Sequence, residues 1–307
     1  MKGWVRNLAA LIALLLGFVT WSLMPSKLHV KPARKFPAPK TSVPAGVSIA
    51  AIPTGERESR AMLTYRGGSW SEHRSAVVGG ILVRHPRGDL LFDTGFGEHY
   101  HDHVSRLNFF ARGASRYTIG TPIARQLAAA GIAPSSLHAI VLTHAHSDHV
   151  SGLDDLRGVP VWLSGPEQKF IADGGRATEL IRRLGDFKFV TVEFPDGPYL
   201  GFEHSRDVWG DGSVVLVPTP GHTPGSLAAF ITLPNGTRYA LLGDIVWQKE
   251  GIDLPAERPW PVRMVADWDE HRVRELILHL EQLARAFPGL VMVPAHDARV
   301  WATLPKL

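Results

Sequence analysis

Four ligand-type side chains within six consecutive positions constrain this chain more than any other feature. His144, His146, Asp148 and His149 stand in "LTHAHSDHVSG" (142–152), directly after the apolar run "LHAIV". A group of this kind is either a solvated loop or one part of a metal site, and the rest of the chain decides which. Residues two apart can project from one side of an extended chain end, so His144 and His146 can share one ion. Asp148 and His149 fall where the chain turns and can face a second. Neutral imidazole with carboxylate suits zinc, and manganese, iron or cobalt on ligand type alone. The chain has no cysteine, which excludes disulfides, thiolate ligands and a thiol nucleophile.

Three further stretches repeat the same situation. "VPTPGHTPGS" ends a β-branched run in a Pro/Gly turn that carries His222, "YALLGDIVW" ends one with Asp244, and "LVMVPAHDA" ends one with His296. Apolar strands that each deliver a His or Asp at their end imply a common rim along one sheet edge. Solvated loops have no reason to place these residues in that way.

The elements between these stretches can be read from period and punctuation. "VSIAAIPTG" and "RSAVVGGILVRHPRGDLLFDTG" are short, β-branched and broken by Gly and Pro, which is strand chemistry. "TPIARQLAAAG" reads as a helix with Thr121 as N-cap, Pro122 in the first turn and Gly131 as its stop. "PEQKFIADGG" and "ATELIRRLG" look helical, "VPVWLS" and "FKFVTVEF" extended, and Asn235-Gly236 supplies a hairpin turn between two later strands. Val273, Leu276, Ile277, Leu280 and Leu283 mark one face of a helix from about Asp269 to Phe287. The resulting order suits two sheets packed together with helices outside.

The first 46 residues are different in kind. "LAALIALLLGFVTWSLM" (8–24) runs without a charge between Trp4 and Trp21, and reads as a short membrane helix within residues 1–25. A cleaved signal peptide is the alternative, although no small-x-small site follows at the usual distance. Lys27, Lys31, Arg34 and Lys35 after the span argue for a cytoplasmic body, and the short basic leader with Lys2 and Arg6 argues for export. The exported side of an inner or plasma membrane is taken here, with a cleaved, secreted or periplasmic form as the alternative. Residues 26–46, spaced by four prolines, read as an extended basic tether that holds the body off the membrane, and residues 47–307 as the body. Seven of the 33 basic residues lie in the first forty positions, which leaves 26 against 29 acidic residues. The body is therefore slightly acidic and carries no nucleic-acid footprint.

Taken in order, Asp93 in "LLFDTG", the set His144, His146, Asp148 and His149, His222 in "TPGHTPGS", Asp244 in "LLGD" and His296 in "PAHD" resemble the metallo-β-lactamase superfamily of hydrolases from roughly Val47 to Ala302. The resemblance implies an αβ/βα four-layer sandwich with a two-metal site at one edge. By carry-over His144, His146 and His222 would bind one ion, Asp148, His149 and His296 the other, and Asp244 both, with a hydroxide between them. Asp148 would also relay a proton to the leaving group, and Asp93 would orient a ligating imidazole through its other nitrogen.

Some residues fall outside this frame. "GEHYHDH" holds His99, His101, Asp102 and His103 without a strand to fix them, so His99 and His101 are expected to contact substrate from a loop rather than bind metal. Phe109, Phe110, Arg112 and Arg116 continue that loop and fit a lid. Trp247 stands where the acyl-homoserine lactonase branch has a tyrosine three residues after the bridging Asp, so a substrate-side donor is expected there, though one unable to exchange a proton. The absence of cysteine disfavours lactam hydrolysis, and His146 argues against the flavodiiron branch, which carries an acid there. The expected activity is therefore hydrolysis of an ester or lactone in a small or acylated molecule. Thioester (glyoxalase II-like) or phosphoester hydrolysis, iron-dependent oxygen chemistry and non-catalytic binding remain as alternatives on the same fold.

Overall fold

The computed structural model describes residues 2–105 and 116–307. Phe109, Phe110 and Arg112, expected in a lid, lie outside the described residues. Two sheets form the body. The first has seven strands: β1 (Ser48–Arg60), β2 (His73–Arg84), β3 (Asp89–Phe92), β4 (Tyr117–Ile119), β5 (Leu137–Val141), β6 (Val161–Ser164) and β7 (Phe189–Val192), in the order β4-β1-β2-β3-β5-β6-β7. The second is β8 (Arg206–Asp207), β9 (Val214–Pro218), β10 (Leu227–Thr232), β11 (Arg238–Leu241) and β12 (Leu290–Val293), in the order β12-β11-β10-β9-β8.

Alternation along the strands sends side chains to two faces, and both faces are apolar because both are covered. Ile49, Ala51, Val83, Leu90, Phe92 and Val141 of the first sheet meet Val214, Leu216, Ala229, Ile231 and Leu241 of the second in the central core. The opposite face of the first sheet, with Ile52, Leu82, Leu91 and Ile140, packs against Ile123, Leu127, Ile171, Leu180 and Ile181. The opposite face of the second, with Val217, Ala228, Phe230 and Ala240, receives Val273, Ile277, Leu280 and Leu283 of the helix Glu270–Ala286. Each buried Val, Leu, Ile or Phe side chain among these stabilises the body by about 1.5–3 kcal/mol relative to exposure.

Local signals set most boundaries. Asp269 caps the long helix by accepting from the amides of His271 and Arg272, and Asn235 accepts from the Thr237 amide in the β10–β11 hairpin. The helix expected to start at Thr121 differs in detail. It runs Ile123–Ala129 with Pro122 at the N-cap and no capping side chain, and the Thr121 carbonyl instead accepts from the Gln126 side chain.

The N-terminal helix spans Lys2–Leu23, and its stretch Trp4–Leu23 is long and apolar enough to cross a membrane by length and composition. The segment after it contains neither helix nor strand, as its prolines require, but it does not stand off the body. Leu28 donates its amide to Pro255 O (2.8 Å), Phe36 meets His279 edge-on (5.5 Å), and Ser42 donates to Asp211 O (2.7 Å). Leu28 and Phe36 find apolar surface beside the Glu270–Ala286 helix, so this segment straps along the body.

Candidate metal centre

Parallel pairing brings the candidate residues to one edge. β3 runs parallel to β5, and β11 to β12, so the C-terminal ends of all four strands open on the same side. Asp93 follows β3, Thr143 and His144 follow β5, Asp244 follows β11 and His296 follows β12. His222 sits in the turn after β9, and the Leu227 amide at the start of β10 donates to Thr143 O (3.0 Å), which joins the two sheets at the site. A one-turn helix, Ser147–Val150, with His146 at its N-cap, delivers Asp148 and His149. Close approach restricts two of these turns. Gly243 has φ +53 and a side chain there would press on Thr143, while Asp93 itself adopts φ +56, a region Asp tolerates better than most residues.

All seven expected metal ligands converge. The ligand atoms of His144, His146 and His222 lie within 4.8 Å of one another, as do those of Asp148, His149 and His296, and those of His144, His149 and Asp244. Asp244 faces both trios, with Oδ2 3.4 Å from His222 Nε2, and Oδ1 3.4 Å from His149 Nε2 and 3.2 Å from His296 Nε2. His146 Nδ1 and His222 Nε2 are 2.9 Å apart, and His296 Nε2 and Asp148 Oδ2 3.6 Å apart. Tetrahedral bonds of about 2.1 Å would place ligand atoms roughly 3.4 Å from each other, a value these separations bracket. His144 Nε2, His149 Nε2 and Asp244 Oδ1 are buried without a hydrogen bond. An unsatisfied buried polar atom costs about 1–3 kcal/mol, and three at one point fit a cavity built to hold a cation.

The opposite atoms of the ligands are fixed. Asp93 Oδ2 accepts from His149 Nδ1 (2.8 Å) while its two oxygens take the Thr143 amide and hydroxyl, both at 2.8 Å. His296 Nδ1 lies 2.8 Å from Val77 O, and His222 Nδ1 3.2 Å from Asp267 Oδ1, which also receives Arg258. Glu167 joins the two ligand turns of the first trio, accepting from the Ala145 amide (2.8 Å), Thr223 Oγ1 (2.7 Å) and the Gly225 amide (3.0 Å). Asp148 meets Arg57 Nη1 at 3.6 Å, and Arg57 Nη2 donates to the Tyr100 hydroxyl at 2.8 Å.

Glu167, Asp267, Arg258, Arg57 and Tyr100 were not distinguished by the sequence. None follows an apolar run as the ligands do, and only folding brings them to the rim.

Protonation follows these surroundings. Burial, together with the neighbouring imidazoles, lowers His144 well below its usual range and His146 to about 3. Burial also disfavours charged His149 and His296, but Asp93 and Asp244 beside the first, and Asp244 and Asp148 beside the second, outweigh it and raise both. Burial pushes the Asp148 carboxyl up, and Arg57, His149 and His296 more than reverse that.

Three expectations about substrate contact change. His99 and His101 are not brought to the centre: His99 is exposed near Asp102, and His101 meets the Tyr117 hydroxyl (3.0 Å). His99 stands in the turn before the short helix Tyr100–Ser105 and His101 within it, and it is Tyr100 between them that turns inward, buried on Phe96. Trp247 is at the site, but its indole N–H is committed to Asp244 Oδ2 (2.8 Å) rather than free for a substrate. Its ring, under the Arg258 guanidinium, lines a cavity of about 330 Å³ with Arg57, Leu63, Asp148, Val262, Val265 and His296.

A sandwich of two sheets with buried, converging His and Asp side chains at the strand ends defines a metal-dependent hydrolase. The chain belongs to the metallo-beta-lactamase superfamily, whose profile matches residues 80–297. It is 29% identical over 230 residues to the probable metallo-hydrolase Rv2300c of Mycobacterium tuberculosis, covering 71% of this chain and 73% of the relative. It is 27% identical over 184 residues to the N-acyl homoserine lactonase AttM of Agrobacterium fabrum, covering 59% and 66%. An N-acyl homoserine lactone hydrolase solved with N-hexanoyl-L-homoserine at its catalytic metal centre shares the fold, with a TM-score of 0.68 at 19% identity over 85% of this chain and 98% of that one.

Proposed function

We propose that the protein hydrolyses an ester or lactone bond in a small or acylated molecule, using two divalent ions, zinc first among them. His144, His146 and His222 would hold one ion, Asp148, His149 and His296 the other, and Asp244 would serve both. The observation that carries this reading is that the two oxygens of Asp244 face the two trios separately. Ions held there would lower the pKa of a water and polarise a carbonyl oxygen, which is the chemistry of ester hydrolysis.

The chain's own residues supply the rest. Asp93 and Asp267 fix the tautomers of His149 and His222, so that Nε2 of each faces the centre. Asp148 lies at the boundary between the centre and the 330 Å³ cavity. There it takes up a proton from the attacking water and passes it to the leaving oxygen, while Arg57 keeps it ionised between turnovers. Leu63, Pro261, Val262, Val265 and the Trp247 ring make most of the cavity wall apolar, which favours an acyl substituent beside the scissile bond. We read residues 1–25 as a membrane anchor, 26–46 as the connecting segment and 47–307 as the hydrolase domain, with the domain on the exported side.

Metal analysis of protein prepared without added metal, followed by a panel of lactones, esters, thioesters and phosphoesters, tests this reading. Two zinc ions per chain and turnover of oxygen esters or lactones are expected. One iron per chain with oxygen uptake would overturn it, and turnover confined to thioesters or phosphoesters would move the substrate class.

A further inference from the structure

The cavity beside Asp148 and His296 has its mouth at the end of the apolar N-terminal helix. Two of its walls are the segment with Leu63 and Thr64, and the helix Trp260–Ala266 with Pro261, Val262 and Val265. Both segments are fastened to the last turns of Lys2–Leu23. Phe18 meets Trp260 edge-on at 4.9 Å, and Ser22 Oγ accepts from the Trp260 amide at 2.5 Å. The Gly67 amide donates to Leu23 O (3.0 Å), Arg66 donates to Trp21 O (3.0 Å), and the Arg66 guanidinium lies over the Trp21 ring at 4.7 Å. Gly67 has φ +92 and approaches Pro25 so closely that a β-carbon would stand 2.9 Å from Pro25 Cα.

Ion pairs cross this junction. Buried Glu257 binds Arg66 at 3.5 Å, Arg263 at 2.6 Å and Arg274 at 2.5 Å, which ties the Leu63 segment, the Trp260–Ala266 helix and the Glu270–Ala286 helix together. Asp267, which ends the Trp260–Ala266 helix, bonds His222. Ion pairs and hydrogen bonds therefore link the helix end, the cavity wall and the candidate metal centre.

Val265 of the cavity wall and apolar side chains on or near the lining segments are open to the surroundings. Val265 is 86% exposed, Trp70 68%, Met264 63% and Trp268 57%. Exposed apolar side chains on and near these segments, which pack on an exposed apolar helix, call for an apolar partner. Phe18 lies five residues before Leu23, about 7.5 Å along the axis, and the Trp260 helix packs at that level. Interfacial helices bury their apolar faces about 5–10 Å deep, and tryptophan favours that depth.

We propose that the mouth of the active-site cavity rests in the surface of a lipid bilayer, and that the substrate is an acyl-chain amphiphile that enters laterally from that bilayer past Leu63 and Val265. This rests on the readings of the N-terminal helix as an anchor and of the site as an ester or lactone hydrolase. The bilayer supplies the acyl chain, Arg57 and Trp247 bound the polar end of the cavity, and the reacting carbonyl reaches the centre without crossing water.

Full-length protein reconstituted in phosphatidylcholine/phosphatidylglycerol vesicles tests this. Because the chain has no cysteine, Met264→Cys can carry a single fluorophore, with Asn235→Cys as control. Asn235 lies in the hairpin at the far ends of β10 and β11 from the site. The Met264 label is expected to be quenched by brominated lipid and the Asn235 label by a water-soluble quencher only. With dodecanoyl and butanoyl esters compared, long-chain turnover should follow mole fraction in the bilayer rather than bulk concentration. The double variant Trp70→Glu/Met264→Glu should lower the long-to-short rate ratio about tenfold. A chain that fails to float with vesicles overturns the anchor reading and the proposal together. A chain that floats with its Met264 label open to water, or long-chain turnover set by bulk concentration, overturns the proposal alone. A label quenched by lipid with neither ester cleaved supports the placement of the mouth and overturns the hydrolase reading.

Discussion

The two trios at the centre use similar ligands in opposite electrostatic settings. His144, His146 and His222 are three imidazoles, and burial with mutual repulsion keeps His144 and His146 neutral. Asp148, His149 and His296 include a carboxylate and sit beside Asp93 and Asp244, which hold both imidazoles toward their charged forms. The first trio can accept a cation without losing protons from His144 or His146. The second must give up protons, and its imidazoles are held from behind by Asp93 on His149 and by Val77 O on His296. A chain can thus tune two adjacent ions separately through the groups behind the ligands.

Asp244 is where the difference should vanish, because it faces both trios. Asp244→Ala is expected to reduce bound metal at both positions and to lower turnover by about a thousandfold or more, the scale of losing a group that acts on developing charge. Elemental analysis alongside initial rates checks this. Retention of two ions with unchanged rate would show that the trios are independent. Replacing one member of a single trio should separate them: His146→Ala and His149→Ala should each leave about one ion per chain, held by the opposite trio.

The orienting carboxylates offer a finer cut. Asp93→Asn keeps every ligand but takes the charge from behind His149, and should weaken the second position by about 10–100-fold, leaving the first near its original affinity. Asp267→Asn should do the reverse through His222, and competition with a chromogenic chelator reads both. An equal loss at both positions in either variant would mean that Asp93 and Asp267 support the whole rim rather than one ligand each.

This pairing also shows what the sequence could disclose. The convergence of the seven candidate ligands was legible because their segments follow apolar β-branched runs, and the period of a strand survives in a linear string. Asp93 was legible for the same reason. Glu167, Asp267 and Arg57 were not, since their partners are 22, 45 and 91 positions away in sequence, at Ala145, His222 and Asp148, and no local pattern marks such pairs. His99 and His101 were expected to contact substrate from a loop, whereas in the structure it is Tyr100 between them that turns inward to Arg57, a side-chain direction that composition does not encode. The contacts of residues 26–46 with the body were not legible, because Leu28 and Phe36 offer too little apolar periodicity to announce them.

The smallest effects should come from pH and from Trp247. His149 and His296 are raised in the metal-free protein, so a cation must displace their protons, and affinity at that position should climb as pH rises towards their pKa values and level off above them. His144 and His146 are already neutral, so they release no protons between pH 6 and 8. Calorimetric titration in buffers of different ionisation enthalpy should therefore show more proton release for one equivalent than for the other, and acidification should empty the second trio first. Equal release by both equivalents would erase the comparison. Trp247→Phe tests the bridge from its other side. The indole donor to Asp244 Oδ2 is lost while the cavity wall is kept, and a hydrogen bond to a charged group contributes about 1.5–3 kcal/mol. Because Oδ2 is the oxygen facing His222, the first position should lose roughly tenfold in affinity or more, with little change at the second.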